Sequence, residues 1–216
     1  MNPTQIELLD EGEVKERPIL FSGKMVRAIL EERKTCTRRV MNPQPVDAGS
    51  GDWWYPGPAL NWQNAKHYAN EAHMQRGLPT DFHPYGQPGD RLWVRETFAV
   101  QPDLWAASHV PQPIHFLADC KPEQIEDYIL KPSIHMPRWA SRITLEITGV
   151  RVERVQDITP NDIWSEGVAW HGEGDHDGEA NAHEDFTSLW NSINLKRGYS
   201  WESNPWVWVI EFKRTT

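Results

Sequence analysis

The segment Ser141–Val155 reads SRITLEITGVRVERV. Ile143, Leu145 and Ile147 fall on one face of a strand, because side chains alternate with a period of two. Gly149 interrupts the alternation and Val150 and Val152 resume it, which predicts a bulge or bend at the glycine. The chain closes on a second such segment, Pro205–Arg214 (PWVWVIEFKR), with Trp206, Trp208, Ile210 and Phe212 on one face. Arg91–Val100 (RLWVRETFAV) follows a Pro88-Gly89-Asp90 turn signal and alternates as well. Ile114–Cys120 (IHFLADC) is a shorter strand candidate.

Near the N-terminus, Arg17–Phe21 (RPILF) reads as a strand and Ser22 as an N-cap. Met25–Glu32 has helical spacing, and Lys34–Val40 (KTCTRRV) returns to a strand pattern. Thr159, Pro160 and Asp162 open a helix that ends near Gly167. Glu184–Asn194 is an amphipathic helix, with Phe186, Leu189, Trp190 and Ile193 on its apolar stripe. Trp170 to His183 reads as an acidic, glycine-rich loop, its histidines and carboxylates in no rigid ligand spacing. The fold class is therefore α+β: about five or six strands and two or three helices. Apolar first and last strands favour a small closed or nearly closed barrel, in which the terminal strand protects an edge.

Residues 1–16 read as an acidic tail and residues 17–216 as one domain. Residues 42–88 form an insertion, dense in proline and without periodicity, expected outside the barrel and held by Trp53, Trp54 and Trp62. The chain has 216 residues, enough to bury a core without staples, and two cysteines, Cys36 and Cys120, which exclude a disulfide scaffold. No apolar run suffices to span a bilayer and no signal peptide is evident, so a cytoplasmic setting is expected. The net charge of −9 weighs against a broad nucleic-acid-binding surface and leaves a small ligand or a local basic pocket. The 12 tryptophans offer buried faces and stacking platforms for bases.

Four blocks in order, SGKMVRAILEERKTCTRRV, PGDRLWVRETF, KPSIHMPRWASRITLEITGVRVERVQDIT and FTSLWNSIN…NPWVWVIEFKR, resemble the ASCH domain, a branch of the PUA-like β-barrels. They are most similar to ASCH proteins of phages and prophages of Gram-negative bacteria, which would put the chain in a bacterial cytoplasm. The likeness spans roughly residues 17–41 and 86–214 and leaves the insertion uncovered. It implies an RNA- or modified-base-binding module, a ribonuclease, or a metal-free amidohydrolase that removes acetate from N4-acetylcytidine. The last activity uses a Lys and a Thr in a G-R-K-T-x-T-x-R segment and a Glu downstream. Lys34 and Thr37 match the first two and Glu166 the third, while Glu32 stands where Gly is usual. No cofactor and no obligate metal is implied. The expected partner is a nucleoside or modified base, or single-stranded RNA, with no membrane.

Lys34 and Thr37 are three residues apart, so on one strand they would face opposite ways, and a shared site needs a turn between them. A desolvated lysine can act as a base toward the Thr37 hydroxyl or a water, with Glu166 holding the lysine or protonating the leaving amine. The same residues are equally consistent with a plain ion pair beside a threonine on a sheet. Arg38 and Arg39 point to opposite faces, so one of them can enter a groove and bind phosphate or a carbonyl. Trp93 with Arg95, and Arg138 with Trp139, are further candidates for base stacking and a pocket rim. A core tryptophan covered by an arginine stem accounts for the first pair, and a structural corner for the second. Cys36 reads as a small buried hydrophobe.

Overall fold

The computed structural model describes residues 13–49, 51–56, 65–68, 70–72, 75, 83–101, 114–121, 124–168 and 176–215. In chain order the elements are β1 (Glu16–Leu20), α1 (Gly23–Leu30), β2 (Cys36–Val40), β3 (Val46–Asp47), β4 (Trp53–Tyr55), β5 (Lys66–Tyr68), β6 (Arg91–Arg95), β7 (Phe98–Val100), β8 (His115–Phe116), β9 (Ile129–Lys131), β10 (Thr144–Arg154), α2 (Pro160–Ser165), α3 (His176–Asn194) and β11 (Trp206–Arg214). Trp62, residues 1–12 of the tail and residues 170–175 of the acidic loop lie outside the described residues.

The main sheet has the order β1-β6-β10-β11-β2. β1 runs parallel to β6 and every other pair is antiparallel. The register between β10 and β11 shifts at Ile147/Gly149, the bulge read from the glycine. A Cβ at Gly149 would lie 2.6 Å from Glu211 Oε2, so the bulge brings backbone and carboxylate together.

β11 is covered on both faces. Ile210 and Phe212 join Ile19, Val26, Ile29, Leu92 and Leu145 beneath α1. Trp206 and Trp208 continue that face into a cluster with Met41, Tyr55, Tyr68 and Val152. Val207 and Val209 pack oppositely, on Ile163, Phe186 and Trp190 of α2 and α3. A strand buried on both sides explains the nearly unbroken apolar run VWVI.

The expected closed barrel is not found: among the described residues no ladder joins β1 to β2. α1 starts at Gly23, three residues after β1 ends, and its buried face fills the space a closing ladder would need. The two edges meet instead through one side chain, Arg39 Nη2 donating to the Leu20 carbonyl at 2.7 Å.

Three further expectations change. Arg91–Val100 is two strands in two sheets, broken at Glu96, a buried carboxylate that meets the Arg142 fork at 2.9 and 3.1 Å. The helix expected from Glu184 begins at His176, so less of Trp170–His183 is loop. Ile114–Cys120 contains only the two-residue β8, followed by a turn.

Within 42–88, β3, β4 and β5 form a small sheet of their own. Trp53 meets Trp206 edge-on with ring centroids 5.5 Å apart, while Trp54 is exposed. The segment also reaches into the core through Tyr55 and Tyr68, which sequence reasoning passed over. Gln44 behaves as an extra ladder rung: its amide donates to the Trp206 carbonyl at 3.0 Å and accepts from Trp206 N at 2.8 Å. No helix among the described residues is long and apolar enough to cross a membrane.

His83 packs against Trp208 with its Nδ1 2.7 Å from the Gly86 carbonyl. That contact requires the hydrogen on Nδ1, leaving Nε2 a bare acceptor, buried with no partner. Burial lowers the His83 pKa from 6.5 to about 4. Between these values the unfolded chain binds a proton that the folded chain refuses, so stability falls as pH drops through the window. The His83 contribution is about 3 kcal/mol at most. Urea unfolding at pH 7 and pH 4.5 is expected to show this loss in the wild type and a flatter response in His83→Asn.

Candidate functional site

The site begins at the end of α1. Arg33 N bonds the Ala28 carbonyl at 2.9 Å and Glu32 N that of Ile29 at 3.0 Å, the two crossed bonds of a Schellman turn. Such a turn needs a left-handed residue at its corner, and Glu32 takes that role at φ 60°. This is the position where the resemblance has Gly. The turn drops Lys34 in front of β2 rather than on it, which resolves the three-residue spacing of Lys34 and Thr37.

β2 is an edge strand, paired on one side with β11. Thr35 O accepts from Phe212 N and Thr37 is in register with Ile210, so the odd residues bond β11. The polar groups of Cys36 and Arg38 therefore face the open edge. Lys34 Nζ donates to the Cys36 carbonyl at 2.8 Å, and Glu166 Oε1 accepts from Arg38 N at 2.7 Å. Lys34 and Glu166 bond each other at 2.6 Å, and Lys34 donates also to the Glu166 carbonyl at 2.8 Å. All three ammonium donors are thus used, in a side chain with no exposed surface.

Glu166 arrives at the end of α2, whose start is fixed by reciprocal bonds between Thr159 and Asp162. Thr35 N ties to the Ser165 carbonyl at 2.8 Å. Gly167 follows at φ 80°, where a Cβ would lie 2.7 Å from Ala28 Cβ and 2.9 Å from Lys34 Cβ. Only glycine allows this approach, and the approach seats Glu166 on Lys34.

Behind the pair, Arg38 contacts Glu153 at 3.0 Å, Asp162 at 3.2 Å and Glu166 at 3.5 Å. Arg151 joins Glu153, Asp162 and Glu211 to the same network. Desolvation raises the Asp162 carboxyl, but bonds from Thr159 and the charges of Arg38 and Arg151 outweigh it and hold the pKa below its ordinary value. Burial, reinforced by Glu166, pushes the Cys36 thiol up to about 12, so it stays protonated and inert at neutral pH.

A cavity of about 340 Å³ opens in the seam between β1 and β2. Thr37, Arg38, Arg39 and Glu166 contribute to its wall. The Thr37 residue is buried, and its hydroxyl makes no hydrogen bond among the described residues. Lys34 stands behind Glu166 and does not line the cavity. Trp93, Arg95, Arg138 and Trp139 do not line it either. Trp93 is half-buried between Arg95 at 5.4 Å and Arg138 at 6.0 Å, opposite the core-facing Leu92 and Val94. Arg138 pairs with Glu16 at 2.9 Å, and Trp139 is exposed.

Sequence reasoning missed the apolar wall, Phe21 and Met25 with Leu189, Trp190 and Ile193 of α3, and also Ser22 and Arg197. The stripe on α3 was visible but reads as core. Ile193, 45% exposed at the end of that stripe, is the one residue out of keeping with a core face. Among the described residues no group of three or more His, Cys, Asp or Glu is placed to hold a metal. No family model, no curated protein and no solved structure matches the chain.

Three variants test this arrangement by urea unfolding. Glu32→Gly relieves a left-handed non-glycine residue and is expected to stabilise by about 1 kcal/mol. The same change removes the exposed Arg214–Glu32 ion pair, which is worth little. Lys34→Ala leaves the Glu166 charge buried and unpaired and is expected to cost about 3–5 kcal/mol, whereas Lys34→Met with Glu166→Leu recovers much of that loss.

Proposed function

We propose that the seam cavity binds a nucleoside or modified base and that the chain is a metal-free amidohydrolase of the N4-acetylcytidine-deacetylating type. The same reading takes the sheet as a PUA-like (ASCH) barrel opened at one seam around α1. The observation that carries it is the convergence of Thr37 and Glu166 on one cavity wall, with Lys34 bonded directly behind Glu166.

The saturated donors of Lys34 shift the base role to Glu166. Lys34 serves as a positioning residue, which holds the carboxylate in place through its bond at 2.6 Å. Glu166 accepts the Thr37 hydroxyl proton as Oγ bonds to the acyl carbon. The C–N bond then breaks as that proton passes to the exocyclic nitrogen. Water releases acetate from the Thr37 ester by the same route, with Glu166 again taking and returning the proton. The apolar wall holds the base, and a cavity of this size falls within the roughly 300–1,000 Å³ of small-ligand sites.

The burial of Lys34 also favours a second reading, in which Lys34 and Glu166 only close a strand edge and the cavity reads a modified base without chemistry. Incubation with N4-acetylcytidine separates the two. Amidohydrolysis yields cytidine and acetate in equal amounts, a loss of at least about a hundredfold in Thr37→Ala and Glu166→Gln, and retained turnover in Thr37→Ser. Binding without release of acetate from the wild type rejects the hydrolase and leaves the reader.

A further inference from the structure

Arg39 and Arg197 line the seam cavity together. The other cations near it are matched: Lys34 by Glu166, and Arg38 by Glu153, Asp162 and Glu166. Arg39 and Arg197 have no carboxylate within ion-pair distance among the described residues. Of the three Arg39 nitrogens only Nη2 has an acceptor there, the Leu20 carbonyl, and Nε is buried with none. Its guanidinium carbon lies 5.2 Å from the centre of the Phe21 ring. Arg197 makes one long contact, to Asn194 Oδ1 at 3.3 Å. Glu166 is the carboxylate on the same wall, but its two oxygens are already bonded by Lys34 and the Arg38 N–H, so among the described residues neither arginine has an anion of its own in the cavity.

A third donor set meets the same wall. Ser22 is the N-cap of α1 and lines the cavity, yet its side chain makes no capping bond. No acidic residue occupies the first turn of α1, and the first N–H groups of a helix have no partner within it.

We propose that Arg39, Arg197 and the N-terminus of α1 form a phosphate subsite, and that the ligand of the cavity is a phosphorylated nucleotide rather than a neutral nucleoside. The proposal rests on the reading of the cavity as a base-binding pocket. A phosphate offers the charge and the acceptor oxygens that a guanidinium fork, a hydroxyl and helix N–H groups require. The base then lies on the apolar side, against Met25, Leu189 and Trp190.

The test uses the full chain and tryptophan fluorescence, with cytidine, cytidine 5′-monophosphate, the dinucleotide CpC and inorganic phosphate as probes. The monophosphate is expected to bind about tenfold or more tightly than cytidine. That preference shrinks with added salt. Arg197 is exposed, so Arg197→Ala leaves the core intact and is expected to narrow the gap about tenfold. Arg39→Ala should act in the same direction. Stronger binding of CpC than of the monophosphate assigns the phosphate to a strand, and the reverse assigns it to a mononucleotide. Equal binding of cytidine and its monophosphate, an undiminished preference in Arg197→Ala, or no binding of any probe overturns the subsite. Hydrolysis is scored separately on N4-acetylcytidine and its 5′-monophosphate. If neither is cleaved while the phosphate preference persists, the hydrolase fails and the subsite stands. Cleavage of both at equal kcat/KM overturns the subsite and leaves the hydrolase.

Discussion

The open edge of β2 must be satisfied, and the Lys34–Glu166 pair satisfies it. An edge strand displays carbonyl and N–H groups that invite another chain or water. Here the Cys36 carbonyl goes to an ammonium and the Arg38 N–H to a carboxylate, and the two charges bond each other. Each group desolvates the others, so none is tolerable alone. The Schellman corner at Glu32, the capped start of α2 and the missing side chain at Gly167 all converge on this pair. The pair takes up the edge groups of β2, and beside it the seam between β1 and β2 holds a cavity.

The rest of the fold is arranged around β11, which needs cover on two faces. α1 supplies it for Ile210 and Phe212, and α2 and α3 for Val207 and Val209. Of β10 only Val152 joins the cluster of Trp206 and Trp208, and the segment between β2 and β6 completes their cover with Tyr55, Tyr68 and His83. The segment is an insertion by sequence and part of the core by packing. The neutral state of His83 follows from that placement, since a second N–H on its ring would point at no acceptor.

Features governed by neighbours in sequence were legible. The alternation of Ile143, Leu145 and Ile147, the bulge at Gly149 and the start of α2 at Thr159 and Pro160 depend on residues a few positions apart. What failed depended on distant partners. Arg91–Val100 looks continuous until Glu96 is drawn off the strand by Arg142, 46 positions away. Barrel closure cannot be judged from two apolar terminal strands, because the edge of β2 is occupied by a glutamate 128 positions beyond Arg38. Lys34 and Glu166 were brought together only by a resemblance, since spacing says nothing about side chains 132 residues apart. The same resemblance marked Glu32 as out of place, and the left-handed corner gives that departure a physical meaning. Arg197 carried no signal at all, being one arginine in an exposed turn after α3.

Charge decides how the cavity and the whole molecule divide their work. A surface of net charge −9 repels polyanions at long range, and this opposes a strand approaching along the sheet. Repulsion of that kind is screened within about 10 Å at ordinary salt, so it does not reach into a cavity whose own charges lie closer to the ligand. Inside the seam the balance differs: Glu166 is held by Lys34 and by the backbone of Arg38, while Arg39 and Arg197 have no carboxylate partner among the described residues. A ligand with one or two phosphates meets weak opposition outside and strong attraction within. A long nucleic acid meets repulsion along its whole contour and attraction at one point. On the proposed reading of the cavity, the two scales together favour a small anion carrying an apolar face, such as a single nucleotide, over a long strand.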